Sequence, residues 1–188
     1  HGRALPFAQG LKLANPKLTV VACGGDGDGM AIGLGHTYHA IRRNVNLTYI
    51  LMDNHVYGLT KGQTSPRSDW GFKTKTTPEG NIETPVATLE MALSAGASFV
   101  AQGFSTELQQ LVDLIVAAVK HPGFSLVNVF SPCVTFNKVN TYDWFKERLL
   151  DINSIGDYDR HNKGKVLQHI LAHEGLLTGL LYEDEAKK

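Results

Sequence analysis

The sequence predicts an α/β fold built on a parallel sheet that is covered by helices on both faces. Short apolar runs rich in β-branched residues alternate along the chain with longer segments in which apolar residues recur at helical spacing. Because each connecting helix crosses back over the sheet, this alternation makes successive strands parallel. The 188 residues are sufficient for one domain with a sizeable core, so we predict a single domain over residues 1–188.

Four strands are predicted from short apolar runs that are bounded by turn residues. The first run follows Pro16 and stops at glycines. A strand buried on both faces needs no alternation of polar and apolar residues, which fits the composition of these runs. The predicted strands cover residues 18–23, 47–53, 97–102 and 124–130.

Helices are predicted between these strands, over residues 30–44, near residues 86–95 and from 105 to 120. In the last of them Ser105 is a candidate N-cap, and the sequence His121-Pro122-Gly123 ends the helix. Its apolar residues form one stripe, which we expect to lie on the sheet. That stripe consists of Leu108, Leu111, Val112, Ile115, Val116 and Val119.

Two regions do not follow this alternation. The stretch 54–84 is polar, with many turn residues and few apolar anchors, so we predict a loop. Loops of that length are usually functional. From about residue 140 the sequence is again more polar, and we predict a C-terminal helical extension with two helices packed on the outside.

Composition argues against several classes of protein. The formal net charge is zero, without the basic excess that nucleic-acid-binding and acidic-membrane-binding proteins usually carry. No apolar run reaches the roughly 18 residues of a membrane span, and no signal-peptide pattern opens the sequence. The two cysteines, Cys23 and Cys133, are too few for a disulfide framework. We therefore expect a cytoplasmic protein.

The segment GGDGDG, residues 24–29, joins the first predicted strand to the following helix. The N-terminus of a helix favours phosphate, and glycines let the backbone approach it closely. The spacing does not fit the dinucleotide fingerprint GxGxxG, and the lysine of a P-loop is missing. Two carboxylates beside a phosphate would repel it, so the segment predicts a cation between them.

Asp26 and Asn54 are separated by one strand–helix–strand unit, which predicts that their side chains meet at adjacent strand ends. Carboxylate, amide and carbonyl oxygens suit Mg²⁺, which also takes phosphate oxygens as ligands. A helix-loop-helix calcium loop fits poorly, because Met30 and Thr37 occupy positions where acidic ligands are required. A tight glycine turn with capping aspartates remains the alternative.

Several segments together resemble one protein family. These are HGRALP, GGDGDGMAIGLGHTYHAIRRN, MDNHVYGLTKGQTSPRS, FSPCVTFN and LLTGLLY, which follow one another along essentially the whole chain. They resemble the β subunit of 2-oxoacid:ferredoxin oxidoreductases, most closely the 2-oxoglutarate type. The resemblance implies a thiamine-diphosphate-binding fold, specifically its diphosphate-binding domain.

The resemblance also implies an activity. This is the oxidative decarboxylation of 2-oxoglutarate to succinyl-CoA, with electrons passed through a [4Fe–4S] cluster to ferredoxin. Two alternatives stay open: a subunit acting on pyruvate or another 2-oxoacid, and a catalytically silent cofactor-binding or assembly module. The implied partners are an α subunit that supplies the pyrimidine-binding domain and the activating glutamate, in an (αβ)2 heterotetramer, together with coenzyme A and ferredoxin.

Roles for individual residues follow from the matching motifs. Asp26 and Asn54 would hold Mg²⁺ through their side chains, with the carbonyl of Val56 as the third protein ligand. Lys61 would neutralise a phosphate or a substrate carboxylate. The residues implied to bind thiamine diphosphate are His1, Gly25, Asp26, Gly27, Asp28, Asn54, Val56, Gly58, Leu59 and Thr60. Those implied to be catalytic are Leu59, Thr60 and Lys61, in a loop that continues to Gly62 and Gln63.

Cys133 matches a cysteine that binds the [4Fe–4S] cluster in that family. Such a cluster needs four thiolates, and Cys23 lies inside a predicted strand. The resemblance implies that the other ligands lie upstream of His1, in an N-terminal cluster-binding segment that this numbering does not include.

The remaining polar residues are predicted to be structural. His36 and His39 lie three apart on one helix, but no carboxylate at a fitting spacing supports zinc. Arg42 and Arg43 would complement the negative end of the same helix. Residues expected to be solvated or capping are Glu79, Glu83 and Glu90.

Overall fold

The structure is a computed structural model, and it describes residues 1–185. The strands are β1 (Val21–Gly25), β2 (Leu47–Asp53), β3 (Phe99–Phe104), β4 (Phe124–Phe130), β5 (Leu150–Asp151) and β6 (Leu177–Glu183). The helices are α1 (Ala4–Ala14), α2 (Leu34–Arg42), α3 (Thr88–Ser94), α4 (Leu108–Lys120), α5 (Tyr142–Lys146) and α6 (Lys163–Ala172). A π-helical turn, Asp28–Ile32, precedes α2, and a 3-10 turn, Ile152–Ser154, follows β5.

All six strands form one sheet, in the order β1-β2-β4-β3-β6-β5. The first four strands are parallel to their neighbours, whereas β6 pairs with β3 in the antiparallel direction. The predicted α/β class is therefore confirmed, as a mostly parallel sheet. The two helices expected after residue 140 are α5 and α6, but the same region also supplies β5 and β6, which the sequence analysis did not predict.

Helices cover both faces of the sheet, as predicted. On one face α1, α2, α3 and α6 pack against the sheet around a large apolar core that includes Tyr49, Leu51 and Leu126. On the other face α4 contributes Leu114 and Ala118 to a smaller core. A third cluster at the carboxyl end of β3 and β4 contains Phe104, Phe130 and Phe145.

The apolar stripe predicted for α4 is only partly correct. Leu111 and Ile115 pack towards the sheet together with Leu114 and Ala118. The other predicted members face outward, because the sheet contacts the helix along a line centred on Leu114: Leu108, Val112, Val116 and Val119 are between 36% and 69% exposed.

Two predicted helix starts also differ from the structure. Ser105 does not cap α4, since its N–H donates to the carbonyl of Phe130 and so extends the pairing of β3 with β4. The helix begins at Leu108 instead. The helix predicted from residue 30 is interrupted at Ala31, whose backbone leaves the helical region, and α2 starts at Leu34.

The stretch from Asn54 to Ala87 lacks regular helices and strands, as predicted for a long loop. It folds over the carboxyl ends of the parallel strands, and an isolated bridge joins Tyr57 to Gln63. Within residues 1–185, no helix is both long enough and apolar enough to cross a membrane.

Candidate functional site

β1 and β2 are neighbours in the sheet, so the residues that follow them lie at one edge. Gly25 is paired with Met52, which places Asp26 beside the segment Asp53–Asn54. The backbone N–H of Asn54 points at Oδ1 of Asp26, at an N···O distance of 3.4 Å. The structure therefore brings together the two residues that the sequence places on adjacent strand ends.

Asp26 is almost completely buried, with 1% of its surface exposed. Its Oδ2 accepts a hydrogen bond from the hydroxyl of Ser65. Burial and the nearby charge of Asp53 raise the pKa of Asp26 from its ordinary value of 3.8 to about 6, although the Ser65 hydrogen bond opposes the shift. A buried carboxylate of this kind is stabilised in its ionised form by a cation, which suits a metal ligand.

Asn54 forms a local turn with Val56. The side-chain Oδ1 of Asn54 accepts the N–H of Val56 at 3.0 Å, which fixes the course of the backbone after β2. One carboxylate, one amide oxygen and one backbone carbonyl form the hard oxygen set that Mg²⁺ prefers. In residues 1–185 no group of three or more His, Cys, Asp and Glu side chains is arranged for a metal, which is compatible with a site that has a single carboxylate.

Two tyrosines explain why the end of β1 and the loop that follows it are rich in glycine. A Cβ on Gly24 would lie 2.5 Å from the hydroxyl oxygen of Tyr49, and one on Gly29 would collide with the same hydroxyl. A Cβ on Gly27 would collide with the ring of Tyr57. The Tyr57 hydroxyl also donates to the carbonyl of Gly27 at 2.8 Å. Tyr49 and Tyr57 therefore pack closely against this glycine-rich segment and leave no space for side chains at Gly24, Gly27 and Gly29.

The second aspartate of the loop faces the start of the chain. Oδ1 of Asp28 accepts the N–H of Gly2 and lies 3.2 Å from Nδ1 of His1. Gly2 has a φ of +69°, and a Cβ there would collide with Ile32, so the turn before α1 requires glycine. The ring of His1 lies 5.9 Å, centroid to centroid, from that of Tyr57. Asp28 thus holds the His1–Gly2 turn against the glycine loop.

Comparison with known proteins agrees with this geometry. Residues 1–129 match the family described as "Thiamine pyrophosphate enzyme, C-terminal TPP binding domain". The chain belongs to the thiamine pyrophosphate (TPP) enzymes. Residues 133–188 match a second family, which is described as the C-terminal part of the pyruvate ferredoxin oxidoreductase beta chain. TPP is thiamine diphosphate, so the predicted diphosphate-binding fold is confirmed.

Individual relatives show which TPP enzymes this chain is similar to in sequence. The chain is 46% identical to the 2-oxoacid:ferredoxin oxidoreductase subunit beta of Sulfolobus sp over 85% of its length and 52% of the relative. It is 45% identical to the 2-oxoglutarate synthase subunit KorB of Archaeoglobus fulgidus over 78% of its length and 55% of that protein. The predicted resemblance to these β subunits is confirmed, and the chain spans about half the length of the curated relatives it matches.

Solved structures show the same similarity in three dimensions. A 2-oxoglutarate:ferredoxin oxidoreductase from Magnetococcus marinus superimposes with a TM-score of 0.93 and 45% identity, over 98% of this chain and 63% of that one. A TPP-dependent 4-hydroxybenzoylformate decarboxylase from Rhodococcus jostii RHA1 matches with a TM-score of 0.51 and 19% identity, over 73% of this chain and 24% of that one. The second match shows that the TPP-binding fold is shared.

In this TPP-binding chain, the loop predicted to be catalytic is a closed hairpin. The N–H of Tyr57 donates to the carbonyl of Gln63, and the Gln63 side chain donates to the carbonyl of Thr60 at 2.7 Å. Leu59, Thr60 and Lys61 lie on the outside of the hairpin, and Leu59 is 98% exposed. The structure therefore gives these three side chains open surface positions, whereas Asp26 is buried.

The hairpin lies beside Cys133 and a basic groove. A Cβ on Gly58 would come within 3.7 Å of the sulfur of Cys133, which is a half-buried free thiol. Lys61, Lys73 and Lys75 line the groove, whose volume is about 420 Å³. Cys23, by contrast, is an exposed free thiol on β1.

The residues predicted to be structural have ordinary positions in the TPP-binding domain. Arg43 donates to the side chain of Gln9 at 3.3 Å, and Glu90 lies in the first turn of α3. The other such residues are partly or fully exposed: His36, His39, Arg42, Glu79 and Glu83.

Sequence reasoning missed a buried ionic network beside Asp26 and Asn54. Asp53 is fully buried, and its Oδ2 accepts a hydrogen bond of 3.0 Å from Nε of Arg67. Burial alone would raise the pKa of Asp53, but the charges of Arg67 and His55 hold it well below its usual range. His55 has a φ of +59°, and its Nε2 lies 3.4 Å from Oδ1 of Asp53. A charged residue at the end of an apolar strand was the signal for this network.

Proposed function

We propose that this chain is the diphosphate- and metal-binding part of the β subunit of a TPP-dependent 2-oxoacid:ferredoxin oxidoreductase that acts on 2-oxoglutarate. The observation that carries the proposal is the contact between Asp26 and Asn54 at adjacent strand ends. It is supported by the Magnetococcus marinus enzyme, whose structure contains 2-oxoglutarate, coenzyme A and succinyl-CoA.

The residues of the site fit a magnesium diphosphate. Asp26 and Asn54 would bind Mg²⁺ through their side chains and Val56 through its carbonyl, and the metal would neutralise the diphosphate. Gly25 and Gly27 would bind the diphosphate through the backbone, since they lie just before the start of the π-helical turn and helix starts favour phosphate. When bound, thiamine diphosphate supplies the electron sink that stabilises the negative charge left by loss of carbon dioxide.

The chain's own contribution is binding and orientation. Asp26 lies in a buried setting, where an unneutralised carboxylate is costly, so binding of the cation is favoured. Asp28 and Tyr57 bring His1 to the glycine loop, where it would contact the cofactor. The hairpin of Gly58, Leu59, Thr60 and Lys61 would close on the cofactor and substrate from outside.

The remaining parts of the reaction require other components. We assign the pyrimidine-binding half and the activating glutamate to an α subunit, in an (αβ)2 assembly. Cys133 would bind a [4Fe–4S] cluster together with three further thiolates, because a cluster needs four. Ferredoxin would accept the electrons, and coenzyme A the acyl group.

A direct binding experiment tests the proposal. Asp26→Ala, in the native assembled protein, should abolish the Mg²⁺-dependent binding of thiamine diphosphate, measured by calorimetric titration. Retention of that binding would count decisively against the metal assignment. An iron and acid-labile sulfide assay of the native assembly separates a redox enzyme, with full cluster content, from a catalytically silent cofactor-binding module.

One observation supports pyruvate as an alternative substrate. Residues 133–188 match a family described by pyruvate rather than 2-oxoglutarate. Turnover of 2-oxoglutarate, pyruvate and 2-oxobutyrate should be compared with the native assembly and a ferredoxin. A higher kcat/KM for pyruvate than for 2-oxoglutarate would assign the enzyme to the pyruvate type.

A further inference from the structure

A four-residue turn in the long loop contacts both strand ends of the candidate metal site. We name residues 65–68 the SPRS turn, after their sequence. The hydroxyl of Ser65 donates to Oδ2 of Asp26, which lies 39 positions earlier in the chain. The Oγ atom of Ser65 also accepts a hydrogen bond from the backbone N–H of Arg67, at 3.2 Å. Ser65 is buried, with 4% of its surface exposed. The hydroxyl that holds Asp26 is therefore itself oriented by the turn.

The SPRS turn also holds the residues on either side of Asn54. Nε of Arg67 donates to Oδ2 of Asp53 at 3.0 Å, just before Asn54. The hydroxyl of Ser68 donates to the carbonyl of His55 at 2.7 Å, just after it. A single turn therefore joins the backbone around one predicted metal ligand to the side chain of the other.

We propose that Ser65 is a positioning residue for the metal site, and that it orients the Asp26 carboxylate towards the bound Mg²⁺. This inference rests on the proposed function. A carboxylate can rotate about its terminal bond, and the two hydrogen bonds to Asp26 oppose that rotation. Ser65 engages Oδ2, whereas Oδ1 lies on the side of Asn54 and, within residues 1–185, has only the weaker 3.4 Å contact with its N–H. Oδ1 is thus the oxygen presented to the cation.

A purely structural role for Ser65 makes a different prediction. If its hydrogen bonds only stabilised the loop, their loss would lower the stability of the protein and leave the affinity for Mg²⁺ unchanged once the protein is folded. If Ser65 positions Asp26, the affinity for the metal falls. Hydrogen-bond partners of metal ligands typically change metal affinity by about 10- to 100-fold when they are removed.

The test compares Ser65→Ala, Ser65→Thr and Ser154→Ala in the native assembled protein. Thiamine diphosphate binding is titrated against Mg²⁺, and the concentration of Mg²⁺ at half-saturation is recorded. Ser154→Ala is the matched control, because it removes an exposed serine hydroxyl that donates to a backbone carbonyl, that of Asp151. If Ser65→Ala does not fold, Ser65→Cys takes its place, since the thiol has a similar size and is a weak donor.

We expect Ser65→Ala to raise the half-saturating Mg²⁺ concentration by about 10- to 100-fold, with the affinity for thiamine diphosphate restored at saturating Mg²⁺. Ser65→Thr, which keeps the hydroxyl, should recover most of the loss, and Ser154→Ala should match the wild type. An unchanged Mg²⁺ requirement in Ser65→Ala overturns the inference. Metal-dependent binding that persists in Asp26→Ala instead overturns the proposed function, so the two failures are distinguishable.

Discussion

The hydroxyl of Tyr57 donates a 2.8 Å hydrogen bond to the carbonyl of Gly27, and this bond ties the loop after β2 to the loop after β1. Each loop carries one predicted Mg²⁺ ligand, Asp26 in the first and Asn54 in the second. The ring of Tyr57 also occupies the space that a side chain on Gly27 would need. The relative position of the two ligands therefore depends on this tyrosine as well as on the sheet.

Substitutions at Gly27 and Tyr57 should have unequal effects. Tyr57→Phe removes one hydrogen bond and keeps the ring, so we expect a loss of about 1 kcal/mol in thiamine diphosphate binding, or roughly fivefold. Gly27→Ala places a methyl group where the ring of Tyr57 lies. Such overpacking costs about 3 kcal/mol, so we expect the affinity for thiamine diphosphate to fall by at least about 100-fold. Both affinities are measured by titration at saturating Mg²⁺.

The double variant Gly27→Ala/Tyr57→Ala provides the control for the collision. Removal of the ring makes space for the methyl group, so binding should be stronger than in Gly27→Ala alone. Binding that is equally weak in the double variant would show that the methyl group acts through something other than the tyrosine.

Binding of Mg²⁺ should depend on pH through Asp26. Its pKa of about 6 in the metal-free protein means that protons compete with the metal below that pH. We expect the affinity for Mg²⁺ to fall by up to about tenfold per pH unit below pH 6 and to be level above it. Calorimetric titrations with Mg²⁺ at about six pH values between pH 5 and 8 would reveal this change in affinity. An affinity that does not vary with pH over this range would contradict the prediction.

The same carboxylate should lower the stability of the metal-free protein at neutral pH. Because the folded state binds the proton more tightly than the unfolded state, the free energy of unfolding falls as the pH rises from about 4 to about 6. Asp26→Asn removes the charge, so metal-free Asp26→Asn should melt at a higher temperature than the metal-free wild type at pH 7.5 and at a similar temperature at low pH. An unchanged or lower melting temperature at pH 7.5 would contradict this view of Asp26.

The ion pair between Asp53 and Arg67 should be a major contributor to stability. Arg67→Leu removes the arginine that is paired with the fully buried carboxylate of Asp53, and breaking a buried pair in this way typically costs about 3–5 kcal/mol. Arg160→Leu is the matched control: its 4.0 Å pair with Glu183 is half exposed, and such pairs are worth less than about 1 kcal/mol. Urea unfolding of the native assembly measures both changes, and similar losses for the two variants would contradict the assignment.

The strand ends could be predicted from sequence because they depend on local composition. β2 and β4 have the predicted bounds, since each is an apolar run between turn residues. The proximity of Asp26 and Asn54 then follows from parallel neighbours. Ser65 and Arg67 meet their partners across 39 and 14 positions in an irregular loop, where no periodicity indicates which side chains converge.

One other difference and one unforeseen contact have physical causes that the sequence pattern does not contain. β6 is an apolar run inside a tail that is polar on average, and only its pairing with β3 distinguishes it from a helical segment. That Asp28 surrounds the diphosphate stays a prediction; its contacts with His1 and Gly2 were not foreseen, because the turn that brings them together depends on tertiary packing against Ile32.

Cys133 should be required for the iron–sulfur cluster and not for cofactor binding. Its sulfur lies next to Gly58 at the base of the hairpin, and it is half-buried rather than packed in the core. Cys133→Ser in the native assembly should lower iron and acid-labile sulfide to background and abolish ferredoxin reduction, because serine does not replace the thiolate ligand. Mg²⁺-dependent binding of thiamine diphosphate should stay within about twofold of the wild type, since Cys133 is not among the proposed metal and diphosphate ligands. Cys23→Ser, which changes an exposed thiol on β1, is the control and should keep its full cluster. Normal iron content in Cys133→Ser, or an equal loss of iron in both variants, would remove Cys133 from the electron-transfer path.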